Sequence, residues 1–235
     1  MEKTFSGFEN KHGLICNNFA GSFESKLYGI GENQELFFDN PKSTYYGFVS
    51  SGTATIKYNN LEYPVSEGMY FSISGGEHSI VGGCGVIIEK LNYTGVFTLG
   101  GPIAKKGHLK YIDGCTDSLL VPALKKGDPC LNALYFPSNI DQTPHVHPSD
   151  RVGMIFKGTG TCITPQAEIP LNEGDLFVIH EDGLHSFRTN SDEEMVVIAF
   201  HPDSDFGPED ENHPMINRTI VNGLSANQIN EIRTK

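Results

Sequence analysis

The 235-residue sequence is poor in positive charge. It carries 17 lysine and arginine residues against 29 aspartate and glutamate residues, which gives a net charge of −12 at pH 7. A surface of this sign repels phosphate backbones and anionic lipid headgroups. We therefore expect neither a nucleic-acid partner nor a membrane partner.

Long apolar segments are missing as well. The longest apolar runs, such as MVVIAF at residues 195–200, are far shorter than the roughly 20 residues that cross a bilayer. The amino-terminal residues MEKTFSGFENKHG lack the basic and then apolar pattern of a secretory signal. The five cysteines are scattered, odd in number and without Cys-x-x-Cys spacing, as is typical of reduced thiols. These features predict a cytoplasmic protein.

Several catalytic signatures are also absent from the sequence. It contains no Gly-x-x-x-x-Gly-Lys-Ser/Thr loop, no Gly-x-Gly-x-x-Gly opening a helix, and no Gly-x-Ser-x-Gly elbow. These motifs bind nucleotide phosphates or present a nucleophilic serine. Nucleotide-driven chemistry and serine hydrolysis are therefore disfavoured.

The sequence does contain an internal repeat. GFVSSGTATI, which begins at Gly47, resembles GMIFKGTGTCI, which begins at Gly153, and the later stretches YPVSEGMYF and IPLNEGDLF share the same offset of 106 residues. Periodic self-similarity is typical of repeated structural units. We interpret the chain as two copies of one unit, over residues 1–98 and 99–235. The same offset relates three pairs of glycines: Gly47 and Gly153, Gly52 and Gly158, Gly68 and Gly174.

Short segments rich in Val, Ile, Thr, Tyr and Phe alternate with turn sequences such as NN, EG, GG and EDG about every 8 to 12 residues. This pattern predicts an all-β protein built as an antiparallel sandwich or barrel. Residues 99–130 are interpreted as an inter-domain connection with a strand or two of its own. Ser225 and Gln228 form a capping box, which predicts one short C-terminal helix.

Three histidines of the second copy could meet. His145 and His147 lie one residue apart in PHVHP, and alternate residues of an extended strand project to the same face. His185 follows Gly174 by eleven residues and can close the set if its strand runs beside the first. Three neutral imidazoles would leave coordination positions open, which suits a catalytic metal better than a structural one. The alternative is that these histidines only form hydrogen bonds in a polar barrel mouth.

The spacing resembles that of the cupin superfamily. The family pattern is His-x-His, a slot usually filled by Glu, and Gly, followed by Gly and then Pro-x-Gly-x-x-His. The resemblance covers most of residues 30–200 and implies two tandem cupin barrels of the jelly-roll or double-stranded β-helix type. The positions that carry it in the second copy are His145, His147, Gly158, Gly174 and His185.

Two departures from the family pattern bear on the site. Arg151 occupies the glutamate slot, and Arg cannot ligate a metal. Strand parity turns Arg151 toward the histidines and Asp150 away, unless a bulge reverses the order. His180 and Asp182 replace the Pro and Gly of the second motif, and Glu181 adds a carboxylate that, like Asp150, could supply a fourth ligand.

The resemblance is closest to three-histidine cupins, which implies a divalent transition metal, with iron(II) first and zinc, manganese or nickel as alternatives. We predict His145, His147 and His185 as metal ligands. Arg151 is predicted to clamp an anionic or chelating small-molecule substrate, with a structural ion pair as the alternative. His180 and Glu181 are predicted to transfer protons, although His180 could equally face solvent.

The first copy has no such residues. The offset of 106 places Asp39, Pro41, Tyr45 and Ser79 opposite His145, His147, Arg151 and His185. We expect this copy to be a structural partner or a pocket without metal. The acid-rich stretch 201–214, which includes His201, is interpreted as a solvated loop, or alternatively as a lid.

The first functional hypothesis is a non-haem iron dioxygenase-type oxidoreductase. A second keeps the metal and makes the protein an isomerase or lyase, and a third is a non-catalytic module that binds a sugar or carboxylate. Fold alone does not choose among them. Open barrels leave sheet edges exposed, so a homodimer is plausible.

Overall fold

The computed structural model describes residues 3–18, 22–203, 220–221, 223–225 and 228–229. Within these residues the chain is nearly all β, with one three-residue 3-10 turn at Ile112–Gly114. The strands form two large antiparallel sheets and one short hairpin, which is the jelly-roll arrangement that the sequence predicts. In the described part, no helix is long and apolar enough to cross a membrane.

The first sheet has eight strands, in the order β2-β3-β8-β5-β7-β9 with β4 paired to β8 and β6 to β5. Its strands are β2 (Gly13–Asn18), β3 (Ser25–Ile30), β4 (Glu35–Phe38), β5 (Thr44–Tyr58), β6 (Leu61–Ser66), β7 (Tyr70–Ser74), β8 (His78–Lys90) and β9 (Thr98–Gly100).

The second sheet has nine strands, in the order β1-β15-β13-β17-β12-β11-β10 with β14 and β16 paired to β13. Its strands are β1 (Phe5–Phe8), β10 (Leu109–Lys110), β11 (Thr116–Val121), β12 (Cys130–Phe136), β13 (Arg151–Ile163), β14 (Glu168–Asn172), β15 (Leu176–Ile179), β16 (Ser186–Arg188) and β17 (Met195–His201).

Both faces of the central strands are buried. In β13, Val152 and Met154 point to a core shared with the first sheet, whereas Ile155 packs in a separate core formed by the second sheet. A strand buried on both faces reads as a nearly continuous apolar run, and VGMIF at 152–156 has that character. Alternate residues of β13 therefore face different cores: one set packs between the two sheets, and the other packs in the core of the second sheet.

The two sheets pack directly against each other. Tyr46 meets Phe200 at a ring-centroid distance of 4.9 Å, and Phe48 meets Phe156 at 4.8 Å. Burial of each large aromatic side chain is worth roughly 1.5–3 kcal/mol. The halves of the chain therefore close on each other through a continuous apolar interface.

The repeated glycines have a common backbone conformation. Gly52 and Gly158 have φ values of 71° and 76°, and Gly68 and Gly174 have 81° and 93°. L-residues with a side chain rarely adopt these angles. At Gly158 a Cβ would also overlap the carbonyl oxygen of Glu194. The glycine register of the sequence thus marks two sets of turns of the same shape.

Two segments join the second sheet from outside its central strands. Strand β1 belongs to the second sheet, where it pairs with β15, although the sequence division places it in the first unit. The division into 1–98 and 99–235 stays a prediction. The segment 99–130, predicted as a connection with a strand or two of its own, contributes β10, β11 and the start of β12 to the second sheet.

Ser225, the predicted N-cap of the C-terminal helix, is extended in the structure. Ser225 lies in β19 (Leu224–Ser225), which pairs with β18 (Ile220–Val221). The two strands form a hairpin around Gly223, whose φ is 79°, and an extended Ser225 is compatible with its predicted N-cap role. Most of the remaining helical segment lies outside the described residues.

Candidate metal centre

Two loops bring three histidines together. His145 and His147 lie between β12 and β13, and His185 lies between β15 and β16. The amide of His145 donates to the carbonyl of His185 over 2.9 Å, and the amide of His185 donates back over 3.0 Å. This two-residue antiparallel bridge fixes one loop against the other, as the sequence argument required.

The imidazole orientations are set by backbone carbonyls. The Nδ1–H group of His145 donates to the carbonyl of Thr143 over 2.9 Å, and that of His185 donates to the carbonyl of Gly183 over 2.8 Å. An Nδ1–H held in this way leaves Nε2 with its lone pair, and metal-binding histidines are typically oriented so. Both rings are thus prepared to present Nε2.

The three rings converge on one point. Their ligand nitrogen atoms all lie within 4.8 Å of one another. The ring centroids are 4.9 Å apart for His145 and His147, 4.6 Å for His145 and His185, and 5.2 Å for His147 and His185. Over the described residues, this is the one cluster of three or more His, Cys, Asp or Glu side chains with that geometry. The set could hold a transition-metal ion.

His147 and His185 are electrically neutral at neutral pH. Burial, followed by the nearby charge of His145, lowers the pKa of His185 to about 3. Burial, with the Arg151 guanidinium as the next cause, holds the pKa of His147 well below its usual range. Since a metal binds the neutral imidazole, this environment suits the ligand role.

Arg151 lines the same cavity as the histidines. Its side chain is buried, and its Nη1 donates to the Ser149 carbonyl over 3.1 Å, to the Ser149 hydroxyl over 2.7 Å and to the Asp150 carbonyl over 3.1 Å. Strand parity predicted this orientation. A positive group fixed beside the histidines can orient an anionic ligand.

The Asp150 side chain bonds to a neighbouring loop. Its carboxylate accepts a hydrogen bond from the amide of Glu181 over 2.7 Å, and it is not among the side chains that form the histidine cluster. Asp150 therefore ties the loop that follows β15 to the start of β13. The structure offers no support for its use as a fourth ligand.

His180 and Glu181, predicted to transfer protons, lie away from the cavity lining. The His180 Nε2 is hydrogen-bonded to the Ser6 hydroxyl over 2.8 Å. The Glu181 carboxylate accepts hydrogen bonds from the amide and hydroxyl of Ser22, each about 2.8–2.9 Å long. Both side chains are engaged with the amino-terminal segment, so their predicted proton transfer gains no support from their position.

His201 is a cavity residue that the sequence interpretation misplaced. It was assigned to an acid-rich solvated loop, but it is the last residue of β17 and lies opposite Cys130 in β12. Its ring centroid is 6.5 Å from that of His147. The alternation Val197, Ala199, His201 carries the signal, because all three side chains line the cavity.

Tyr111 also lines the cavity, and no sequence feature pointed to it. It precedes the Ile112–Gly114 turn, and its amide donates to the carbonyl of Cys115 over 3.0 Å. Burial, followed by the nearby charge of Asp117, raises the pKa of Tyr111, so its hydroxyl stays protonated. It can act as a hydrogen-bond donor toward the cavity.

The cavity has a polar end and an apolar wall. The cavity is small, since the centre of a water-sized sphere can occupy about 20 Å³ of it. The polar end carries the three histidines, Arg151, His201 and Tyr111. The apolar wall is formed by Leu134, Phe177, Ile179, Phe187, Val197 and Ala199.

The first barrel has a different interior. Tyr45, at the position that corresponds to Arg151, packs against Phe38 and His78 at centroid distances of 4.6 Å each. A buried carboxylate, that of Glu89, lies among hydroxyl, amide and ammonium donors. Its partners, at 2.7–3.2 Å, are Lys26, Tyr28, Asn40, Ser43 and Tyr45. Packed aromatic rings and the hydrogen-bonded carboxylate of Glu89 therefore occupy this interior.

Comparison with known proteins agrees with this fold. Residues 134–201 match the family model of the cupin domain. No curated protein matches the sequence.

Three solved structures illustrate the likeness. Protein Ylba from E. coli has a TM-score of 0.61 and 16% identity, with 86% of this chain and 85% of that chain covered. A cupin 2 conserved barrel domain protein from Leptotrichia buccalis has a TM-score of 0.59 and 14% identity, with 86% and 91% covered. A salicylate 1,2-dioxygenase from Pseudaminobacter salicylatoxidans has a TM-score of 0.59 and 12% identity, with 82% and 76% covered. That dioxygenase is also described in complex with gentisate. At these identities the likeness shows a shared cupin fold.

Proposed function

We propose that the protein is a metal-dependent enzyme of the cupin type, in which His145, His147 and His185 hold a divalent transition metal. The observation that carries the proposal is the convergence of three imidazoles whose ligand nitrogens lie within 4.8 Å of one another. Imidazole ligands suit iron, zinc, nickel and copper. Iron(II) is our first choice, with zinc, manganese or nickel as alternatives.

The chemistry we propose is that of a dioxygenase acting on a small anionic or chelating substrate. A bound iron(II) would supply a Lewis acid with open coordination positions and a centre for reaction with oxygen. Support comes from the fold shared with a salicylate 1,2-dioxygenase that is also described with gentisate. Both compounds are hydroxylated aromatic acids, which combine a carboxylate with a neighbouring hydroxyl.

The remaining cavity residues fit such a substrate. Arg151 orients the carboxylate by charge-assisted hydrogen bonds. Tyr111 donates a hydrogen bond from its protonated hydroxyl. The apolar wall, which includes Phe177 and Phe187, receives the hydrocarbon part of the substrate and excludes water from the polar end.

We further propose that the chain is a bicupin, with a metal-free first unit that supports the second. The shared offset of 106 residues and the matched φ values of the glycine pairs favour this interpretation. A cytoplasmic location and a homodimeric state remain predictions from the sequence.

The test is elemental analysis of the untagged protein beside two variants, His147→Ala and His108→Ala. His108 is exposed and outside the cluster, so it controls for the loss of one histidine. We expect near-stoichiometric metal in the wild type and in His108→Ala, and none in His147→Ala. Absence of metal from all three, even after reconstitution, would favour a small-ligand binding module instead.

Oxygen uptake with gentisate, salicylate and diketones then tests the reaction class. Uptake that requires substrate and disappears in His147→Ala would support the dioxygenase. Conversion of a substrate without oxygen would favour the second candidate, a metal-dependent isomerase or lyase. One observation favours that candidate: His201 lies in the cavity but outside the ligand cluster, where it could move a proton.

A further inference from the structure

The loop of residues 180–185, which we call the His185 loop, is held by parts of the chain that are distant in sequence. It leaves β15 and ends at the predicted ligand His185. Its position determines where the His185 imidazole lies relative to the other two.

One side of the His185 loop is held by the second half of the chain. The amide of Asp182 donates to the carbonyl of His147 over 2.9 Å. The amide of Glu181 donates to the carboxylate of Asp150 over 2.7 Å. These contacts connect the loop to the segment that carries the other two histidines.

The other side is held by the amino-terminal strand. The amide of His180 donates to the carbonyl of Thr4 over 2.9 Å, and its ring is hydrogen-bonded to the Ser6 hydroxyl over 2.8 Å. The fit is close, since a Cβ at Gly183 would lie 2.9 Å from Cγ2 of Thr4. The strand therefore packs against the loop as well as bonding to it.

A third attachment comes from Ser22. Its amide and hydroxyl both donate to the carboxylate of Glu181. Glu181 is thus held through its side chain by the amino-terminal half and through its amide by Asp150. His180 and Glu181 do not line the cavity, but both hold the His185 loop through these hydrogen bonds.

Strand β1 also supports the wall of the cavity. Phe5 is paired with Ile179 in the sheet and stacks on Phe177 at a centroid distance of 6.1 Å. Both partners line the cavity. One short strand therefore backs the apolar wall and the His185 loop at the same time.

We infer that residues 3–8 together with Ser22 form a clamp, which we call the amino-terminal clamp, that fixes the His185 loop and sets the affinity of the histidine cluster for metal. Ser6, Ser22, His180 and Glu181 are positioning residues in this inference. The inference rests on the proposed function. It explains why the half without metal ligands is needed for the site in the other half.

The experiment uses the full-length protein stripped with a chelator and titrated with Co²⁺ alone. Ser6→Ala removes the side-chain hydrogen bond to His180, and Ser22→Ala removes the hydroxyl bonds to Glu181 but keeps the bond from the Ser22 amide. Ser22 is exposed, so its variant keeps the core intact. Ser72→Ala is the matched control, because Ser72 is a buried serine bonded to the Val96 carbonyl in the other sheet. His180→Gln, whose amide can still reach Ser6, is compared with His180→Ala as a conservative rescue. Hydrogen exchange of the His185 loop is measured on the metal-free proteins.

We expect Ser6→Ala to weaken Co²⁺ binding about tenfold, as is common when a group that orients a ligand is lost. Ser22→Ala should act in the same direction, Ser72→Ala should bind as the wild type does, and His180→Gln should bind better than His180→Ala. Hydrogen exchange in the His185 loop should be faster in Ser6→Ala and Ser22→Ala than in the wild type, and unchanged in Ser72→Ala. The Co²⁺ absorption spectrum should change in the clamp variants if the His185 ligand is displaced.

Co²⁺ affinities of Ser6→Ala and Ser22→Ala within twofold of the wild type would overturn the inference. So would an equal weakening in Ser72→Ala, because the effect would then be one of general stability. If the wild type binds no Co²⁺, both the proposed function and the effect of the clamp on metal affinity are refuted. Hydrogen exchange of the metal-free proteins then tests whether the amino-terminal clamp holds the His185 loop. Unchanged exchange in Ser6→Ala and Ser22→Ala would refute the clamp itself.

Discussion

His145 and His185 form a mutual backbone pair in which each amide donates to the carbonyl of the other, over 2.9 Å and 3.0 Å. Each ring is then aimed by the carbonyl two residues before it, Thr143 for His145 and Gly183 for His185. The hydrogen bonds that join the two loops therefore involve backbone groups and do not require the imidazole rings. Side-chain substitution should remove ligands and leave the loops in place.

We predict that His145→Ala abolishes stabilisation by metal. A ligand that binds only the folded state raises stability by about 2.7 kcal/mol at a concentration of 100 times its Kd. The wild type should show an increase in Tm when Zn²⁺ or Co²⁺ is added, and His145→Ala should not. Thermal unfolding with and without metal measures this difference. His108→Ala serves as the control, and a metal-dependent Tm in His145→Ala equal to that of the wild type would contradict the prediction.

Arg151 should determine the affinity for an anionic substrate. Its Nη1 bonds to Ser149 and to the Asp150 carbonyl hold the guanidinium in one place, and a lysine ammonium cannot reproduce that planar fork. We expect both Arg151→Gln and Arg151→Lys to raise KM by roughly tenfold or more, since charge-assisted hydrogen bonds contribute about 1.5–3 kcal/mol. Metal content should be unchanged in both variants. Steady-state kinetics beside elemental analysis would show this, and an unaltered KM would remove Arg151 from the substrate site.

Tyr111→Phe removes one hydroxyl from the cavity and little else. Because burial raises the pKa of Tyr111, the hydroxyl is a donor throughout the accessible pH range. We expect kcat/KM to fall about fivefold, in line with the net value of a neutral hydrogen bond of about 1 kcal/mol. The pH profile and the metal content should keep their wild-type form. A change in the shape of the pH profile would argue against a role as a fixed donor.

The sequence predicted the pair His145 and His147 from local geometry alone. His145 and His147 are two residues apart, and the period of two in extended chain places them together. Arg151 followed from the same parity. His185 needed the family spacing, because its approach to His145 depends on how two distant loops pair.

The parts that the sequence did not predict depend on non-local packing. Strand β1 joins the sheet of the other half, and no periodicity in FSGF specifies which edge it will pair with. Tyr111 reaches the cavity from a segment interpreted as a connection. His201 continues the alternation of Val197 and Ala199, but the acidic residues and prolines that follow it in the sequence favour a loop.

His78 should make the first barrel sensitive to acid. It is buried among Phe38, Tyr45 and Tyr58, and its Nε2 has no hydrogen-bond partner within the described residues. Burial lowers its pKa below 6.5, although the Gly76 carbonyl and the charge of Glu89 oppose this. A pKa that is lower in the folded than in the unfolded state means that stability is lost as the pH falls below about 6.5. His78→Phe should therefore lose less stability between pH 7 and pH 5 than the wild type does in urea unfolding. Equal losses in the two proteins would show that His78 does not titrate on unfolding in this range.

Asp117 should have the opposite dependence on pH. It is buried on β11 beside Asn132, whose amide donates to it over 2.8 Å, and burial raises its pKa from 3.8 to about 6. Since the folded state prefers the protonated form, the contribution of Asp117 to stability is full below about pH 4 and is lost as the pH rises through 6. Such a shift corresponds to a loss on the order of 2–3 kcal/mol. Asp117→Asn carries no charge and can keep the bond to Asn132, so it should be more stable than the wild type at pH 8, with the difference vanishing near pH 4. Urea unfolding across this range, with the exposed Asp192→Asn as the control for net charge, measures the effect; a difference that stays constant with pH would mean that Asp117 is ionised in the folded protein without penalty.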